Sequence, residues 1–157
     1  MRFDYSYKIK SYPFSKDEIS QIQDDEYVKQ NYPIVYIIYD TRKMIAYVGE
    51  STMAIKRMQN HLAHEDKKKL KCVSIISSKL FHKSAALDIE SRLIVGMAAD
   101  GKFKLLNGTG GNSGNYYQKE EYSKLFEKIW SELTFDDVKL KNILEIENSD
   151  LFKYSPY

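Results

Sequence analysis

The sequence predicts a single α+β domain, and three observations carry that prediction. Two runs rich in apolar and aromatic residues, 34–39 and 44–48, flank a short polar stretch as the arms of a hairpin. A third strand-like run, 72–77, follows, and segments with helical spacing of apolar residues lie before, between and after these runs. At 157 residues the chain has single-domain length and can bury a core. Apolar residues at 43% and charged residues at 29% are ordinary globular usage, which excludes disorder for most of the length.

The elements follow in order. Phe3, Tyr5, Tyr7 and Ile9 alternate with polar residues and predict a short strand. Ser15 with Glu18 three later forms a capping-box pattern at the head of a helix over about 16–29. Pro33 breaks the chain before 34–39, a well-buried strand, and 44–48 returns after Asp40, Thr41, Arg42 and Lys43. With those four residues as the whole loop, Tyr39 faces Met44 and Tyr36 stands opposite Tyr47, so two phenols share one face. Gly49 ends that strand, and Ser51 or Thr52 caps a helix running to about 63. On this helix Ile55, Met58 and Leu62 fall on one side, and Arg57, Asn60, His61 and His64 on the other. A lysine-rich turn, 67–71, leads into 72–77, and a helix over about 84–99 comes next. The short apolar run 103–106 precedes Asn107, and 108–114 is a loop of Gly, Asn and Ser. A last helix over about 119–133 has Tyr122, Leu125, Phe126, Ile129, Trp130 and Leu133 at helical spacing, followed by a mixed tail.

The helix over 84–99 holds the clearest break in patterning. Ala86, Leu87, Leu93, Ile94 and Met97 all fall within about 60° of Glu90, with Asp88 and Arg92 on the opposite side. Glu90 therefore points toward the core. A carboxylate there is costly unless it is paired, protonated or bound to a metal, and such violations are more often functional than accidental.

Composition excludes several classes. Cys72 is the only cysteine, so neither a disulfide framework nor a structural zinc site can form, and a reducing, cytoplasmic setting is expected. No apolar stretch approaches membrane-spanning length, and no membrane association is expected. With a net charge of only +2, affinity for nucleic acid must come from clustered positive charge.

Ile34-Val35-Tyr36 followed by Tyr47-Val48-Gly49, then Arg57, His61, Glu90 and Asn107, resembles the GIY-YIG nuclease family, named for its two short strand motifs. The first motif departs in having Ile34 for glycine and Val35 for isoleucine; the second has one conservative change. The resemblance spans about 34–107 and implies a central, largely antiparallel three-stranded sheet flanked by helices. It divides the chain into an N-terminal extension packing on the core, 1–33, a nuclease core, 34–115, and a C-terminal helical extension, 116–157. Phe81-His82-Lys83-Ser84 and the 125–130 helix are similar to nuclease domains that precede a helicase-like ATPase region in bacterial proteins. No phosphate-binding loop of the G-x-x-x-x-G-K-[ST] type exists in this chain, so such a region would lie downstream.

What the resemblance implies is a metal-dependent endonuclease, with DNA the expected substrate and RNA the alternative. Glu90 would hold one Mg²⁺ or Mn²⁺, hard oxygen ligands suiting either. One ion is expected because Asp88 points away from Glu90. Arg57 would contact the scissile phosphate. Tyr36 would be the general base or water orienter, with Tyr47 near the same water, and a phenol would need a nearby cation to lower its pKa from about 10. His61 is the alternative proton acceptor, directly or through Tyr36. Gly49 permits close approach to substrate, and Asn107 either bonds the site backbone or makes a turn. His64 and His82 read as exposed or capping residues. Taken singly, Tyr36 and Tyr47 are ordinary strand aromatics; the constellation reverses that reading. The competing function is a catalytically weak nucleic-acid-binding module that positions an associated ATPase, and a third is a protein-interaction module built on the C-terminal helix.

Overall fold

The computed structural model describes residues 4–107 and 118–135. The 108–114 loop and the tail beyond 135 lie outside the described residues. The strands are β1 (Lys8–Pro13), β2 (Ile34–Asp40), β3 (Ile45–Ser51), β4 (Cys72–Ser77) and β5 (Lys104–Leu105). The helices are α1 (Glu26–Lys29), α2 (Ala54–Leu62), α3 (Lys83–Asp100) and α4 (Lys119–Phe135), with a 3-10 helix over Ile19–Asp24. One sheet runs in the order β1-β4-β2-β3-β5, antiparallel except where β5 joins β3. The central β4-β2-β3 layer is the expected three-stranded unit, and β1 and β5 extend it at either edge.

Period-two alternation sorts the buried side chains of β2 onto two faces. Val35, Ile37 and Tyr39 meet α3 and α4, whereas Ile34, Tyr36 and Ile38 meet α2 and the N-terminal segment. Every residue of β2 is buried, because helices or helical turns cover both faces. On α4, Tyr122, Leu125, Phe126, Ile129, Trp130 and Leu133 are all buried. At roughly 1.5–3 kcal/mol for each fully buried large apolar side chain, that stripe fixes the helix more firmly than its propensity does.

Four expectations are corrected. The first strand lies at Lys8–Pro13 rather than around Phe3 to Ile9, since pairing with β4 runs from Lys8 opposite Ser77 to Pro13 opposite Cys72. The helix expected over 16–29 is broken at Asp25. There the backbone turns extended and the carboxylate accepts from the Tyr27 and Val28 amides at 2.8 and 3.1 Å, starting α1 afresh. The hairpin register is shifted by two from the expected one, the four-residue loop moving on by one. Asp40 accepts from the Arg42 amide at 2.8 Å and Met44 takes φ 54°, so Asp40 stays in the strand opposite Ile45 and Tyr36 faces Gly49. A slip of two preserves the face, and Tyr36 and Tyr47 remain diagonal neighbours. Finally, β3 continues through Gly49 to Ser51. The Ser51 hydroxyl accepts from the Met53 amide at 2.9 Å, and α2 begins at Ala54.

The ends of α3 are well marked. The His82 imidazole accepts from the Ala85 amide at 3.2 Å as the N-cap, in line with its expected capping role, and Gly101 at φ 75° closes the C-terminus in the left-handed region. Nearly the whole circumference of α3 is covered. Asp88 and Arg92, expected on a polar side, are both buried and paired with each other at 3.2 Å.

Candidate active site

The site lies where β2, β3, α2 and α3 converge, and β2 and β3 supply its floor. Tyr36 is fully buried on the α2 face, and its Oη lies 2.7 Å from His61 Nε2. A Cβ placed on Gly49 would fall 2.3 Å from both Cζ and Oη of Tyr36. Gly49 is thus required by the phenol on the neighbouring strand, and its missing side chain is the slot that Tyr36 occupies; β3 runs on past it, so it is not a strand exit. Tyr47 completes an aromatic triangle, its ring 6.4 Å from that of Tyr36 and 4.9 Å from the His61 imidazole. Lys67 Nζ covers the Tyr47 ring at 3.9 Å, a cation–π contact from the lysine-rich turn. Leu70, buried in the second core, anchors that turn.

His61 corrects the helical-wheel reading. It is buried with Ala54 and Met58 on the inner stripe of α2, while Arg57 is exposed. Burial first, and then the charges of Lys67, Arg57 and His64, hold the imidazole down to about 3. Burial drives the Tyr36 phenol in the opposite direction, well above its ordinary value, and the Arg57 guanidinium beside it offsets only part of this. The expected lowering of Tyr36 by a nearby cation is therefore overridden. At neutral pH both partners are uncharged, and the phenol donates to the imidazole nitrogen. The phenols of Tyr36, first, and Tyr47 push the Arg57 guanidinium up, so it is a fixed cation at the mouth of this triangle.

Asn107 joins the site through the backbone of β3. Its Oδ1 accepts from the Val48 amide at 2.9 Å and its Nδ2 donates to the Val48 carbonyl at 2.7 Å. The side chain continues the ladder that β5 begins and holds the strand carrying Tyr47 and Gly49. Of its two expected roles, bonding the site backbone is the one found.

Glu90 projects from α3 and is half-buried rather than fully in the core. Burial, first, and the neighbouring Glu50 carboxylate push its carboxyl up to about 7, while Lys83, Arg57 and the Glu50 backbone amide pull the other way. Glu50 is a site residue that the sequence motifs do not mark. It pairs with Val35 and so faces α3; its side chain is 10% exposed, Oε1 is paired with Lys83, and Oε2 is buried without a partner. A signal for it existed: Ala46 and Val48 are buried on alternate positions, and the same phase puts Glu50 next on that face. Among the described residues no three His, Cys, Asp or Glu side chains gather as a ready-made metal cage.

The model of the GIY-YIG catalytic domain matches residues 32–99. The domain at 32–99 belongs to the GIY-YIG nuclease family. No curated protein and no solved structure matches the chain. The GIY-YIG match runs from just before β2 almost to the end of α3, so Tyr36, Tyr47, Gly49, Arg57, His61 and Glu90 fall inside it and Asn107 beyond it. A mostly antiparallel sheet flanked by helices agrees with that assignment. The chain therefore carries an endonuclease, a phosphodiester hydrolase whose substrate is nucleic acid, of a family that generally uses a divalent metal ion. No described helix is long and apolar enough to cross a membrane.

Proposed function

We propose that the protein cuts DNA with one divalent cation, Mg²⁺ or Mn²⁺, held at Glu90. The observation that carries this reading is the buried Tyr36–His61 pair at 2.7 Å, with the Arg57 guanidinium beside the phenol. Glu90 and Glu50 fit a hard cation: two neighbouring carboxylates, one with a buried oxygen that lacks a partner, are short of positive charge. A bound cation would stabilise charge on the phosphate and acidify a water ligand.

The residues of the chain divide the remaining work. Tyr36 Oη takes a proton from the attacking water as its own proton passes to His61 Nε2, so neither a free phenolate nor a direct water–His61 contact is needed. The resting imidazole is a weak base, partly because Lys67 and Arg57 are nearby cations. Phosphates drawn to those cations would neutralise their charge and raise the basicity of His61 when substrate is bound. Arg57, exposed at the mouth, meets the scissile phosphate and the charge that develops on it. Tyr47 walls the water site beneath Lys67, and Asn107 acts through the β3 backbone as a positioning residue.

We assign catalysis to the 34–115 unit, with 1–33 and 116–157 as extensions. A reducing, cytoplasmic setting suits the single cysteine. An ATPase region in the same polypeptide is proposed from the likeness of the flanks. The test is incubation with supercoiled plasmid, duplex, branched and single-stranded DNA, and RNA, in Mg²⁺, Mn²⁺ or EDTA. Metal-dependent cutting of DNA is expected. Binding without cutting under every condition would instead favour the positioning-module reading.

A further inference from the structure

Lys83 and Glu90 stand two turns apart on one face of α3, about 10 Å along the helix axis. Glu50 reaches this face from β3, immediately after the glycine that admits Tyr36. Its carboxylate is nine-tenths buried, yet only Oε1 has a partner, the Lys83 ammonium, while Oε2 is buried and has none. Lys83 itself is 59% exposed. An ammonium so solvated is weakly held and easily displaced, because exposed ion pairs contribute little. A structural salt bridge would not explain why a second carboxylate, Glu90, is kept within the field of the first at a half-buried site.

Resting on the metal-dependent reading above, we infer that Glu50 is a second protein ligand for the divalent cation and that Lys83 is its counter-ion in the cation's absence. The cation enters between the Glu50 and Glu90 carboxylates, and the Lys83 ammonium swings out to solvent. Two carboxylates, with water and substrate oxygens in the other positions, is an ordinary ligand set for Mg²⁺ or Mn²⁺. The displaced Lys83, at the start of α3, is then available to a phosphate on the α3 side, opposite Arg57 and Lys67 on the α2 side.

The experiment uses the full chain with Mn²⁺ and Tb³⁺ as probes. Affinity is followed by calorimetry, and bound water is counted from Tb³⁺ luminescence lifetimes in H₂O and D₂O. Glu50→Gln and Glu90→Gln are each expected to weaken binding roughly tenfold or more and to add about one coordinated water, since water replaces a lost carboxylate oxygen. Lys83→Met is expected to tighten binding severalfold, and the gain should vanish in the Glu50→Gln/Lys83→Met double variant. Circular dichroism checks that each variant is folded. Loss in Glu90→Gln with unchanged affinity and hydration in Glu50→Gln overturns the assignment of Glu50 and leaves the metal at Glu90. Unchanged binding in both variants overturns the metal reading as well.

Discussion

Glu90→Gln should stabilise the metal-free protein, and only above the pH at which Glu90 ionises. Folded Glu90 keeps its proton up to about 7, whereas an ordinary glutamate releases it near 4.5. Between those values the folded state binds more protons than the unfolded state, so this group's contribution to stability falls as pH rises. Above the folded value the penalty is complete; near pH 4 it is absent because both states are protonated. At about 1.4 kcal/mol per pH unit the ceiling is about 3 kcal/mol, and the half-buried setting reduces it to about 1–2 kcal/mol. Glutamine mimics the neutral acid and removes the penalty. For a chain of this length the gain corresponds to a Tm higher by about 2–8 °C. The assay is thermal denaturation of both proteins in EDTA at about pH 4 and about pH 8. Adding Mn²⁺ should then raise the native Tm by more than that of the variant. A Glu90→Gln protein no more stable than native at the higher pH would mean that Glu90 is already compensated, refuting the argument that its charge awaits a cation.

Further outcomes follow from the same geometry. Gly49→Ala forces a methyl into the Tyr36 phenol and should destabilise the fold by about 1–3 kcal/mol while abolishing most cleavage, checked by urea denaturation and plasmid nicking. Tyr36→Phe keeps the ring and removes the donor to His61, so cleavage should fall by about 100-fold or more with a stability loss of only about 1 kcal/mol. Asn107→Leu removes both bonds to Val48 and should cost about 1–3 kcal/mol, with a fall in kcat larger than any change in KM. His61, neutral when folded and held to about 3, makes stability decline as pH falls below about 6.5. In a Glu90→Gln background, where the opposing slope is gone, about 2–3 kcal/mol should be lost between about pH 7 and 4.5, and His61→Asn should flatten that slope.

The central hairpin, β4 and the three long helices were legible because their apolar residues repeat at the period of the structure they form. The misread parts depend on single local interactions. Asp40 bonding its own turn and Met44 entering the left-handed region moved the hairpin register by two, and Asp25 capping α1 divided a helix whose spacing looked continuous. β5 has two residues, too few for any period, and is held by pairing to β3. In the site, Tyr36, Arg57 and Glu90 were found as a pattern of residue types, and their juxtaposition follows from the fold. His61 lies on the side of α2 opposite to the one its helical spacing predicts, because its ring is buried against a phenol on the sheet face beneath α2 rather than by apolar neighbours. Glu50 escapes the sequence pattern because a glycine commonly ends a strand, although alternation through Ala46 and Val48 carries β3 past it.

The central claim is that these side chains form one metal-dependent phosphodiester-cutting site. Single-turnover cleavage of an end-labelled DNA duplex in Mn²⁺ by the native protein and by Glu90→Ala tests it most directly. Cleavage by the native protein, suppressed by EDTA and reduced at least a thousandfold in a variant that still binds the duplex, is the predicted result. Equal cutting by both proteins, or cutting that survives EDTA, would contradict it.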